Sequence, residues 1–110
     1  MTRVLFVCVE NAGRSQIAQA LYELRGGEAR SAGTEPAAEL HEAVIEALEE
    51  VGVDTSGRRP HRLTPEDVAW ADLVIDVDEW GLAEPVGLCL EEARELRDVI
   101  ERRVAELPCS

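Results

Sequence analysis

The apolar positions follow two periods along this chain, and the changes between them outline its elements. Arg3-Val4-Leu5-Phe6-Val7-Cys8-Val9 is a short run of β-branched and aromatic residues that polar residues end, which predicts a buried strand. From Ser15 the period lengthens. Ile17, Ala20, Leu21 and Leu24 fall at i, i+3, i+4 and i+7 of a helix that Gly26-Gly27 terminates. Ala29 to Ala32 reads as a second strand, followed by a turn at Gly33-Thr34-Glu35-Pro36. A second helix is expected from about Leu40 to Val51, with Val44, Ala47, Leu48 and Val51 inward and Gly52 beyond its end. Thr64-Pro65-Glu66-Asp67 carries start signals of a third helix: an N-cap hydroxyl, proline at the first position and an acid at the third. That helix must be short, because Asp72 to Val77 predicts another buried strand. A last helix is expected from about Leu88 to Leu107, with Ala93, Leu96, Ile100 and Leu107 inward and Val104 alongside.

Strands alternating with helices imply an α/β fold. We expect a three-layer sandwich: a small parallel sheet of three to four strands, right-handed crossovers, and helices on both faces. No repeat or linker interrupts the 110 residues, so one domain over 1–110 is expected. In such sheets ligands gather at the carboxyl ends of the strands, and Cys8 lies at one of those ends.

Composition narrows the chemistry. The formal charge is −12, and all 11 basic residues are arginine. A surface this acidic argues against nucleic acid or an anionic membrane as partner, since both reward the opposite sign. Any anion site must therefore be positive by local construction. No window has the length of a membrane span, and Met1-Thr2-Arg3 leads straight into a strand, so a cytoplasmic location is expected. Cys8, Cys89 and Cys109 form neither a CxxC pair nor a zinc spacing, so no metal is expected and one reactive thiol with two bystanders is the default.

The stretch Cys8-Val9-Glu10-Asn11-Ala12-Gly13-Arg14-Ser15 sits where the strand stops and the helix begins. A strand, a tight loop and a helix N-terminus turn several main-chain N–H groups toward one small volume, and the helix dipole adds positive character there. Residues Val9 to Ser15 are thus expected to cradle a tetrahedral anion. Arg14 can close the cradle with a bidentate fork. The same field favours a thiolate at Cys8, to which Ser15 can donate a hydrogen bond. Asn11 tolerates left-handed backbone, and Gly13 permits close approach of an anion. By chance, C-x5-R-[ST] would arise in a chain of this composition on the order of a few per cent of the time, less at a strand–helix junction. Without the chemistry, Cys8 would be a small buried residue and Arg14 a solvated one.

Val4 to Ala20, VLFVCVENAGRSQIAQA, resembles the phosphate-binding loop of the low-molecular-weight protein tyrosine phosphatase family, and within it the arsenate reductases. Gln16 after Arg14-Ser15 and the stretch Ser31-Ala32-Gly33-Thr34-Glu35-Pro36 carry the distinction from the phosphatases. Val51-Gly52-Val53-Asp54, Leu63-Thr64, Ala71 to Ile75 and the helix from Arg94 to Val104 extend the likeness over most of the chain. The resemblance implies that Cys8 attacks arsenate to give a cysteinyl–arsenate adduct, from which a second thiol releases arsenite. In phosphatase chemistry the same nucleophile forms a cysteinyl-phosphate that water hydrolyses.

Two departures qualify the likeness. Relatives carry a late Asp-Pro-x-Gly element whose aspartate is the general acid; here Glu84-Pro85-Val86-Gly87 places a glutamate there. Relatives also carry a loop between the strand near Val77 and Trp80 that is nearly absent here, and with it the two cysteines of the thioredoxin-coupled reductases. The stretch from Cys8 to Ser15, with Gly13 directly before Arg14, looks more like that of reductases using a small thiol such as mycothiol. An external thiol is therefore the expected reductant, with or without a redoxin. Cys89 is a possible resolving thiol or a packing residue at a helix start, and Cys109 a bystander near the terminus.

Glu10 puts a carboxylate in an anion-binding loop, and sequence does not fix its direction. His41 and His61 have no partner at ligand or base spacing and are expected at the surface. Arg58, Arg59 and Arg62 read as a solvated cluster or an anion lure. Trp80 could wall the pocket or plug the sheet edge. Three functions remain open at this stage: arsenate reduction, hydrolysis of aryl or tyrosyl phosphate, and oxyanion binding with little turnover. The expected state is a monomer or weak dimer.

Overall fold

The computed structural model describes residues 2–82 and 89–108. The elements run β1 (Arg3–Cys8), α1 (Arg14–Leu24), β2 (Glu28–Gly33), α2 (Glu42–Glu49), α3 (Pro65–Trp70), β3 (Leu73–Asp76), a 3₁₀ turn (Val77–Trp80) and α4 (Leu90–Val104). Among the described residues the sheet has three strands in the order β2-β1-β3, all parallel. β1, the strand with the longest apolar run, occupies the centre, as a strand buried on both faces should.

Strand register assigns the faces. Arg3 pairs with Glu28 and Leu5 with Arg30, so these side chains share one face, while Val4, Phe6 and Cys8 point to the other. Trp70 of α3 stacks under Arg30 at 4.4 Å and Arg3 at 5.7 Å, which puts α3 on the first face, where Leu5 is fully buried. The second face carries the main core: Val4, Phe6 and Cys8 join Ile17 and Leu21 of α1, Val44 and Leu48 of α2, and Leu96, Ile100 and Val104 of α4. This is the three-layer α/β arrangement that the alternation of elements predicts. Cys8 is thus both the last residue of the central strand and a member of the core.

Some boundaries differ from the sequence reading. α2 starts two residues later than Leu40 because His41 is its N-cap, with extended backbone. Thr64 caps α3 as expected, in a reciprocal box: its hydroxyl accepts from Asp67 N while the Asp67 carboxylate accepts from Thr64 N. α4 ends at Val104, and Leu107 packs on the core from beyond the helix. Trp80 lies edge-on to Phe6 at 6.4 Å, a core plug rather than a pocket wall. Glu84 and Cys109 lie outside the described residues. Among those residues no helix is long and apolar enough to cross a membrane.

Candidate active site

The loop from Val9 to Gly13 leaves the end of β1 and enters α1, whose first main-chain bond runs from Ile17 N to Gly13 O at 2.9 Å. The N–H groups of the first turn therefore have no helical carbonyl to meet. Asn11, Ala12, Gly13, Arg14 and Ser15 are all buried. Asn11 has φ 52°, the only left-handed non-glycine residue among those described, which lets its main-chain N–H turn back onto Cys8 Sγ at 3.2 Å.

The hydrogen bonds around Asn11 fix their own polarity. His61 N donates to Asn11 Oδ1 at 2.8 Å, so that atom is an acceptor and the amide's other end must donate. Asn11 Nδ2 donates to Ser15 Oγ at 2.7 Å. Ser15 Oγ lies 2.8 Å from Cys8 Sγ; its single proton is free to turn to the sulfur, and a thiolate there can only accept it. Gln16 Nε2 secures the assembly, donating to Asn11 Oδ1 at 3.1 Å and to the Arg59 carbonyl at 3.0 Å. Cys8 Sγ thus faces one fixed donor, the Asn11 N–H, and a hydroxyl able to become the second when the sulfur is anionic.

Main-chain bonds hold the loop from outside. Thr34 N donates to Cys8 O, Glu35 N to Val9 O, Ala37 N to Glu10 O and His41 N to Ala12 O, at 2.8 to 3.2 Å. Gly33 lies beneath: a Cβ there would come within 2.5 Å of Val9 O and 3.0 Å of Asn11. The glycine of the Ser31-Ala32-Gly33-Thr34 stretch is therefore the floor of the loop.

Arg14 is 5% exposed. Its NH2 meets Asp78 Oδ1 at 2.6 Å and its NH1 donates to the Leu82 carbonyl at 3.4 Å. Asp78 was not among the residues that the sequence singled out. The signal for it was slight, an acid just past a strand end; the neighbouring Asp76 has the same appearance but caps the 3₁₀ turn instead. Glu10, whose direction sequence left open, turns its carboxylate along the loop's flank toward His41, with Oε2 3.9 Å from Nε2.

His61 lies at the surface as expected, but its ring has a partner, Asp67 at 2.9 Å, while His41 is partly buried at the α2 cap. Burial pushes the Asp67 carboxyl up, but bonds from Thr64 and His61 outweigh it and leave the group below the usual carboxylate range. Cys8 is a buried free thiol and Cys89 an exposed one; Cys89 caps α4, its amide donating to Glu92 at 3.3 Å. Among the described residues no group of three or more His, Cys, Asp or Glu side chains is arranged to hold a metal ion.

Known proteins are similar to this chain in sequence and fold. Residues 3–80 match the family described as low molecular weight phosphotyrosine protein phosphatase. A Halobacterium salinarum protein provisionally named an arsenate reductase is 37% identical over 129 aligned positions, covering 96% of this chain and 90% of its own length. A Synechocystis protein named glutaredoxin arsenate reductase is 29% identical, covering 97% of this chain and 96% of its own. The YwlE arginine phosphatase of Geobacillus stearothermophilus superposes with a TM-score of 0.83 at 27% identity, over 96% of this chain and 89% of that one. The expected likeness to the arsenate reductases of this fold is borne out by the two named relatives, and the chain belongs to the low molecular weight phosphotyrosine protein phosphatase family.

Proposed function

We propose that this enzyme reduces arsenate to arsenite, with Cys8 as nucleophile. The observation that carries the reading is the setting of the sulfur, where the Asn11 main-chain N–H donates to Sγ and the Ser15 hydroxyl lies 2.8 Å away, placed to donate to a thiolate. Arsenate would lie over the first turn of α1 with oxygens on the loop N–H groups from Val9 to Ser15 and on Arg14, which must exchange Asp78 for the substrate. Cys8 attacks arsenic, an As–O bond breaks, and the leaving oxygen departs as water once protonated. Glu84 is the proposed proton donor. A second thiolate then attacks Cys8 Sγ; the S–As bond breaks and its electron pair stays with arsenic, which leaves as arsenite. Cys8 remains in a mixed disulfide that another thiol reduces.

The reductant is an external thiol, a small molecule of the mycothiol kind or a redoxin. The name of the Synechocystis relative supports a redoxin. Cys89, exposed at a helix cap, is the resolving thiol if resolution is internal. Hydrolysis of an aryl or tyrosyl phosphate is the second reading, favoured by the family match itself.

Purified protein assayed for arsenate-dependent oxidation of a small thiol should turn over, and Cys8→Ser should not. Hydrolysis of p-nitrophenyl phosphate, measured in parallel, should be the weaker activity. Dominant hydrolysis without arsenate-dependent thiol oxidation by any donor, redoxins included, would reverse the order of the two readings. Arsenate binding with neither activity would leave an oxyanion-binding protein.

A further inference from the structure

Acidic residues outnumber basic ones by 23 to 11 in the chain, yet one cavity inverts the ratio. It measures about 390 Å³ and is lined by Arg30 of β2, Arg58 and Arg59 of the segment before α3, and His61, against a single carboxylate, Asp67. Neither Cys8 nor Arg14 lines it, although Gln16, Arg59 and His61 belong both to its wall and to the hydrogen-bonded assembly around Asn11.

Its one acid is fully engaged. Asp67 Oδ2 accepts from Thr64 N at 3.1 Å, from the Thr64 hydroxyl at 2.9 Å and meets the His61 ring at 2.9 Å, while Oδ1 takes Arg30 NH1 at 3.3 Å. Arg30 spends one nitrogen there and lies over the Trp70 ring at 4.4 Å, which leaves the rest of its donor edge. Arg58 pairs with Glu23 at 3.0 Å. Arg58 Nε also donates to the Asp54 carbonyl at 3.4 Å, close enough for the Asp54 carboxylate to feel its charge, while Arg59 is exposed at the rim with its main chain tied to Gln16. The neutral walls, Gln16, Gln19 and Ser31, are polar as well, so the cavity is poorly suited to an apolar guest.

We propose that this cavity binds a small soluble polyanion, a phosphate monoester or diphosphate, whose oxygens engage Arg59, the open edge of Arg30 and the remaining nitrogen of Arg58. Guanidinium forks match phosphoryl oxygens in pairs, and the volume lies within the range of small-molecule sites, with room for an organic group beside the anion.

Inorganic pyrophosphate is the probe, titrated calorimetrically at low ionic strength into protein whose Cys8 has been carbamidomethylated, so that the adduct fills the oxyanion loop. One equivalent should bind per chain. Combined Arg58→Ser and Arg59→Ser should weaken binding about tenfold or more, the loss of a charge-assisted contact. Arg59→Ser alone, at an exposed side chain, should show the same direction and serves if the double variant folds poorly. Arg102→Ser, exposed on α4, should leave the affinity unchanged. Absence of binding, binding that ignores Arg59→Ser, or equal weakening by Arg102→Ser would each overturn the proposal.

Discussion

Asn11 offers the sharpest test of how the loop is built. Asn11→Ala deletes the acceptor of His61 N and Gln16 Nε2 and the donor to Ser15 Oγ, and it leaves a Cβ-bearing residue at φ 52°. The His61 N–H, left without its acceptor in a partly buried setting, costs about 2 kcal/mol. The left-handed backbone adds about 1 kcal/mol for alanine. Asn11→Gly makes the same deletions but tolerates the backbone, so the two variants separate the terms. In urea denaturation, Asn11→Ala should lose about 3 kcal/mol and Asn11→Gly about 2 kcal/mol, with unchanged m-values. Both should also slow alkylation of Cys8 by iodoacetamide, followed peptide by peptide, because the Asn11 amide no longer holds the Ser15 hydroxyl beside the sulfur. A slowing of about three- to tenfold corresponds to part of one charge-assisted hydrogen bond. Wild-type alkylation in Asn11→Gly, or less than about 0.5 kcal/mol lost in Asn11→Ala, would refute the reasoning.

Asp78→Asn keeps an acceptor for Arg14 but removes a charge from the edge of the anion site, 40% exposed. Phosphate should then inhibit alkylation of Cys8 about fivefold more tightly, as expected for about 1 kcal/mol of repulsion in a well-solvated setting; weaker inhibition would mean that Asp78 chiefly positions Arg14. Hydrogen bonding from Arg94, joined by Arg97, lowers the Glu50 carboxyl from 4.5 to about 2, so the α2–α4 link it forms contributes fully above pH 4.5 and is lost as pH falls toward 2. Glu50→Gln should accordingly lower the melting temperature at pH 6 and flatten its decline in acid, and an unaltered acid slope would count against the link.

The strand–loop–helix unit was readable because its signals are local. An apolar run ends, the period changes, and glycine and arginine follow at loop spacing. The partners of Asn11 were not readable. Two of them are main-chain groups, His61 N and, through Gln16, the Arg59 carbonyl, and side-chain identity says nothing of where a distant amide will point. Asp78 escaped notice for a related reason: its contact with Arg14 depends on the 3₁₀ turn after β3, in a region too short to show a period. Gly33 stood out only through family likeness, since its reason lies in the height of a neighbouring loop. Three sheet strands fell within the expected range, and the short α3 followed from the capping signal and the strand that soon follows it.

Apart from the His41 ring beside Glu10, the segment from Thr34 to His41 grips the oxyanion loop through amide protons, at 34, 35, 37 and 41. Side-chain identity is nearly irrelevant to that grip, so evolution can rewrite the exposed residues there without disturbing catalysis. Imino acids are the exception. Pro36 occupies a gap in the series where no proton is demanded, and a proline moved one place either way would unfasten the nucleophile's support.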